Sequence, residues 1–119
     1  MPKRVAEVIP SATFLRELKP LAKKFASLLT EVAELGERLA RQPQTGTPLG
    51  NNCYKIRLAV RSKGTGKRGG MRVVTHVVAL RQNEEVYLLT IYDKSAQANY
   101  SDAQLRAALA EITELRNRK

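Results

Sequence analysis

From Phe14 the apolar positions run Leu15, Leu18, Leu21, Phe25, Leu28, Leu29, Val32, Leu35 and Leu39, mostly at the three- and four-residue steps that line one side of a helix. Pro20 has no backbone donor and crowds the carbonyl one turn back, which predicts a kink or break there, with a further break near Ser27. The segment therefore reads as two packed helices, or one bent and one straight. Ahead of it, Arg4 to Ile9, with Val5, Val8 and Ile9 before Pro10, reads as a small edge strand. Behind it, the turn formers from Gln42 to Asn52 read as a loop.

The period then changes to two. Tyr54, Ile56, Leu58 and Val60 fall on one face of a strand, and Lys55, Arg57 and Arg61 fall on the other with Ala59, giving one dry side and one cationic side. A glycine-rich loop leads to two β-branched runs, Met71 to Leu80 and Val86 to Tyr92, joined through Arg81 to Glu85 as a hairpin. Ser101 with Gln104 forms a capping box, and Leu105, Leu109 and Ile112 continue as a helical stripe. The fold class that follows is α+β: N-terminal helices packed on one face of a small antiparallel sheet, then a C-terminal helix.

At 119 residues there is room for a single domain with one modest core. The charge changes this picture most. The net charge is +10, and the 46 residues from Arg38 to Asn83 hold ten Lys and Arg and no acid. Such a concentration predicts a polyanionic partner. No stretch approaches the ~20 apolar residues of a membrane span and the N-terminus lacks a signal-like apolar region, so a cytoplasmic protein with no membrane partner is expected. Cys53 is the single cysteine, which leaves no internal disulfide and favours a structural role.

Gly64 to Gly69 matches G-x-G-x-x-G, yet a strand-like run follows where a dinucleotide site needs a helix N-terminus. A Walker A loop fails because Arg61 and Arg68 occupy the required positions, and a kinase needs a far longer chain. The loop reads instead as an arm that grips phosphate through Lys63, Lys67 and Arg68, set against a merely solvated connection. His76 is the one histidine and carboxylates are missing from the basic region, so neither a metal site nor a Ser-His-Asp triad is expected, and no cofactor. What this composition permits is metal-free phosphodiester cleavage by the 2′-hydroxyl of RNA. That chemistry needs a base, an acid and cations for the charge of the transition state.

Four blocks carry a resemblance: Gly46 to Gly50, Tyr54 to Ala59, Ser62 to Val74 and Val86 to Ser95. In this order they resemble the RelE/ParE superfamily of bacterial toxins, nearest its HigB-like branch, most strongly over residues 46 to 95. The resemblance implies one toxin domain over residues 1–119, cleavage of mRNA on the ribosome without metal or cofactor, and a cognate antitoxin protein as partner. By that resemblance Arg72 contacts the scissile phosphate and Arg57 and Lys55 position phosphates, while Arg61 continues their strand face by its spacing as a further RNA contact. Lys94 is then the proton donor or transition-state cation. Tyr92 stacks on a base or packs in the core, and His76, about 13 Å along the strand from Arg72, serves the site or packs beside the core. The family's C-terminal catalytic tyrosine has a counterpart only in Tyr100, ahead of a helix, which leaves the base unassigned. Two other outcomes are a ParE-like inhibitor of DNA gyrase and a non-catalytic basic RNA-binding module.

Overall fold

The computed structural model describes residues 5–64 and 69–118. In chain order the elements are β1 (Glu7–Pro10), α1 (Ala12–Lys24), α2 (Leu28–Arg41), β2 (Thr47–Gly50), β3 (Cys53–Leu58), β4 (Met71–Ala79), β5 (Glu84–Asp93) and α3 (Asp102–Asn117), with one 3-10 turn at Arg61–Lys63. The strands form a five-stranded sheet in the order β1-β5-β4-β3-β2. All pairs are antiparallel except β1 with β5, which is parallel. The α+β class stands, and the sheet is mixed where a purely antiparallel one was expected.

Helix α1 begins where Ser11 accepts the Phe14 amide at 3.0 Å, an N-cap that satisfies one orphan donor of the first turn. The helix runs past Pro20 to Lys24 and ends at Phe25, so the expected break lies only near Ser27. Pro20 and Arg16 are both exposed, and the carbonyl that loses its partner at Pro20 faces water. The expected loop over residues 42–52 also holds a strand: β2 pairs with β3 around Asn51 and Asn52, whose φ values of 54° and 59° form the left-handed pair of a tight hairpin. Gly46, at φ 109°, lies so close to β3 that a Cβ there would sit 2.6 Å from the Lys55 carbonyl oxygen. Only glycine fits.

Both sheet faces are covered, which corrects the expectation of helices on one face only. Phe14, Leu28, Leu35 and Leu39 of α1 and α2 pack on Ile56, Met71, Val73 and Ile91. On the other face Leu105 and Ile112 of α3 pack on Cys53, Val74, Tyr87 and Leu89. A register shift between Val74 and Thr75 places an extra residue in β5, a bulge that re-aims its second half. There β5 outruns β1, and Glu17 of α1 accepts the Ile91 amide at 3.3 Å and the Thr90 hydroxyl at 2.6 Å. No described helix is long and apolar enough to cross a membrane.

Candidate nucleic-acid interface and active site

Sheet register brings together three residues that lie far apart in sequence. Arg57 pairs with Arg72, and Arg72 pairs with Tyr92, so the three form one row across β3, β4 and β5. Neighbouring strands sit about 4.8 Å apart, so this row spans about 10 Å. Because Ile56 and Leu58 point into the core under α1 and α2, Arg57 must point to the opposite face. Lys55 shares that face about 7 Å along the strand, in the adjacent row with Val74 and Thr90.

The members of the row differ in exposure. Arg57 is exposed and Arg72 is buried, its guanidinium donating to the Met71 carbonyl at 3.2 Å. Tyr92 is buried too, and its hydroxyl finds no hydrogen-bond partner among the described residues. Burial pushes the Tyr92 phenol up, while the charge of Arg72 works the other way. Tyr100 lies over Tyr92 with ring centroids 6.1 Å apart and planes 11° apart. It sits beside the cap of α3, where Ser101 accepts the Gln104 amide and the Gln104 side chain accepts the Ser101 amide. Its hydroxyl donates to the Gln104 carbonyl at 3.2 Å. The Tyr100 phenol is pushed up to about 12, by burial first and then by the charges of Glu17, Cys53, Glu111 and Tyr92. Sequence reasoning singled out Tyr100 only as a counterpart of a catalytic tyrosine. Its stacking on Tyr92 follows from the loop after β5, which no local pattern encodes.

Two cations leave the expected surface. The sequence pattern placed Arg61 on the face of Lys55 and Arg57, but β3 ends at Leu58 and the chain turns toward α2. There the Arg61 amide donates to buried Glu31 at 2.7 Å, and its guanidinium lies 3.6 Å from Glu31 and 3.9 Å from Glu34. A buried carboxylate needs such partners, and this one draws the basic loop inward. Lys63, expected to grip phosphate, instead pairs with buried Asp93 and donates to Ser95 and the Gly69 carbonyl. Burial works to raise the Asp93 carboxyl, and the hydrogen bonds and charge of Lys63 with those of Ser95 outweigh it, holding the group below its ordinary range. Lys67 and Arg68 lie outside the described residues.

Lys94 follows β5 directly, and its ammonium donates to the Ala98 carbonyl at 2.9 Å, bracing the turn that delivers Tyr100. His76 stands one row beyond Val74, against Cys53, with Nδ1 3.4 Å from Sγ. Burial lowers the His76 pKa most, hydrogen bonds at Asn51 and Asn52 oppose this, and the charge of Arg116 lowers it further. Burial raises the Cys53 thiol to about 11, which marks it as inert packing. His76 therefore belongs to the layer beneath α3 and is not brought to the Arg57–Arg72–Tyr92 row. Nearby, the Tyr87 hydroxyl donates to Glu85 at 2.8 Å, and Arg116 pairs with Glu85, fastening the end of α3 to the sheet. No three His, Cys, Asp or Glu side chains gather as a metal site among the described residues.

Cations in a row, beside a phenol, match the needs of phosphodiester chemistry driven by a substrate hydroxyl. A family profile described as the RelE toxin of the RelE / RelB toxin-antitoxin system matches residues 11–118. Among solved structures, a mutant of the E. coli toxin RelE in the free state is similar with a TM-score of 0.56 at 20% identity, over 86% of this chain and 97% of that one. At that identity the likeness speaks for the fold alone.

Proposed function

Since the chain belongs to the RelE toxin family, we propose that it is the toxin of a toxin-antitoxin pair that cleaves mRNA on the ribosome without a metal, in the cytoplasm. The sequence blocks that resemble the HigB-like branch support placing it there. The observation that carries the reading is the row of Arg57, Arg72 and Tyr92 under Tyr100.

In this reading the 2′-oxygen of the substrate gives its proton to Tyr100 and bonds to the adjacent phosphorus, closing a 2′,3′-cyclic phosphate. The bond to the 5′-oxygen breaks, and that oxygen takes a proton from solvent water. Arg72 and Arg57 stabilise the charge that builds on the phosphoryl oxygens. Lys55 holds a neighbouring phosphate, since contacts of this kind position the strand without reading sequence. Tyr100 takes the proton-transfer role. Burial first and neighbouring charges second hold this phenol at about 12, so it is protonated in the free chain, and it acts as a base where the charge of the guanidiniums favours its ionised form. Lys94 supports Tyr100 by bracing its turn. Arg61 and Lys63 shape the loop, while Lys67 and Arg68 remain phosphate contacts proposed from the sequence.

The test is induction of the chain in cells with primer extension on a reporter mRNA. Cuts in phase with ribosome position, weakened about 10²-fold by Arg57→Ala, are expected. DNA damage without cuts points to gyrase inhibition, and RNA binding without either points to a non-catalytic module.

A further inference from the structure

Two buried side-chain hydroxyls find no hydrogen-bond partner among the described residues, those of Thr75 and Tyr92. A hydroxyl taken out of water without a partner works against folding, so each asks for a reason. Thr75 alternates with Val73 and Val77 on the face beneath α1 and α2, away from the cationic row. Tyr92 is 6% exposed and ends that row beside Arg72, in a packed layer with Val74, Leu89 and Leu105. Paired residues on antiparallel neighbours hold their Cβ atoms about 5 Å apart on one face, and the charge of Arg72 reaches the Tyr92 phenol. Burial raises that phenol, so at neutral pH it keeps its proton and offers a donor. A phenylalanine would fill the same layer and leave no orphan.

We propose that the Tyr92 hydroxyl is a further donor to the scissile phosphate. It donates to a phosphoryl oxygen beside the Arg72 guanidinium, in a contact that strengthens as charge builds on that oxygen. With two guanidiniums in the same row, the group that fits there is an anion. The inference rests on the nuclease reading for the identity of that phosphate, and adds to it a residue that no charge pattern marks. No bond is made or broken at Tyr92, which keeps its proton while Tyr100 carries the transfer. The phosphate reaches the hydroxyl as the turn between β5 and α3 shifts off it. Tyr100 is the ring stacked over Tyr92, and none of residues 94–100 is buried. The ties of this turn are local: Lys94 donates to the Ala98 carbonyl, and the Ala96 and Gln97 amides donate to the Asp93 carbonyl at 3.0 and 2.9 Å. A cover held by so few contacts opens at little cost.

The probe is a short RNA whose attacking 2′-oxygen is methylated, so that it binds and is not cut, titrated into the full chain isotope-labelled at the tyrosine ring carbon that bears the oxygen. The Tyr92 resonance, assigned by its loss in Tyr92→Phe, is expected to move as the RNA saturates. Tyr92→Phe keeps the ring and removes the orphan hydroxyl, so it is expected to melt at or above the wild-type temperature. Its single-turnover cleavage of a ribosome-bound message is expected to fall about 10²-fold. A phosphorothioate at the scissile phosphate, in the diastereomer that puts sulfur where Tyr92 donates, is expected to slow the wild type and to slow Tyr92→Phe much less. A Tyr92 resonance that stays in place, a variant that cuts at the wild-type rate, or one that melts well below the wild type each overturn the proposal. So does a slow variant with an undiminished sulfur effect, which marks a role in packing alone. A wild-type chain whose Tyr92 resonance moves with RNA but which cuts no mRNA overturns the nuclease reading and leaves the phosphate contact standing.

Discussion

Tyr100 stacks on Tyr92 at 6.1 Å between ring centroids, so the residue that leads into α3 sits directly over the row that begins with Arg72 and Arg57. Nothing in the local sequence joins these two tyrosines. Their contact brings the proposed proton-transfer group to the row that holds the cations. Replacing Tyr100 with Phe keeps the ring and removes the hydroxyl. Cleavage is expected to fall by roughly 10²- to 10⁴-fold, the usual worth of a proton-transfer group, with thermal stability little changed because the hydroxyl bond to Gln104 is exposed. Primer extension and a thermal melt on the same protein check both halves. An unchanged cutting rate would remove Tyr100 from the mechanism.

Arg57 is exposed, so Arg57→Ala tests the cationic row without disturbing the core. A loss of about 10²-fold in cleavage is expected, with partial recovery in Arg57→Lys, since charge without the planar fork serves a phosphoryl group less well. Single-turnover rates on a ribosome-bound message measure it.

The Lys63–Asp93 pair predicts acid sensitivity. The Asp93 carboxyl is held below its ordinary value of 3.8, so its contribution to stability is complete above that pH and is lost as the pH falls through the lowered folded-state value. Asp93→Asn is expected to melt lower at neutral pH and to show a shallower loss of stability on acidification below the ordinary value. Equal slopes in the two proteins would show that the pair carries no linkage.

Buried Glu31 accepts from Ser27 and from the Arg61 amide. Glu31→Ala leaves that amide without its acceptor and the Ser27 hydroxyl with Ser62 alone, at a cost of about 1–3 kcal/mol. A fall in melting temperature is expected, together with faster amide exchange at Arg61. Stability equal to the wild type would mean that the carboxylate is dispensable to the loop.

Binding of single-stranded RNA should weaken steeply with salt. If about five phosphates are neutralised, the log-log slope is about −3.5. Arg57→Ala should flatten it by roughly one contact, and a flat wild-type slope would count against phosphate gripping altogether.

The helices, the β4–β5 hairpin and the capping box of α3 were legible in the sequence because each rests on local spacing. The β2 strand was not, because its four residues lie in a turn-rich stretch and are all exposed. The pair Asn51-Asn52, two residues that tolerate positive φ at hairpin length, was the available signal. In the site, alternation correctly set Lys55 and Arg57 opposite Ile56 and Leu58. It failed at Arg61 because a strand's end is fixed by a tertiary partner, here Glu31, and periodicity does not encode partners. The same holds for Lys63 and Asp93, thirty positions apart in the chain. The placement of α3 on the far face was likewise invisible, since an apolar stripe states that a helix is covered and not by which surface.

The way the sheet ends bears on how the protein can meet other chains. On one side β1 is four residues long, and the stretch of β5 beyond it has the Ile91 amide occupied by Glu17. On the other side β2 is equally short and carries Pro48, which offers no donor. Neither rim is a good template for an added strand. A chain of this charge thus resists edge-to-edge aggregation while it accumulates, and inhibitors designed against it should present side chains to its surfaces instead of extending its sheet.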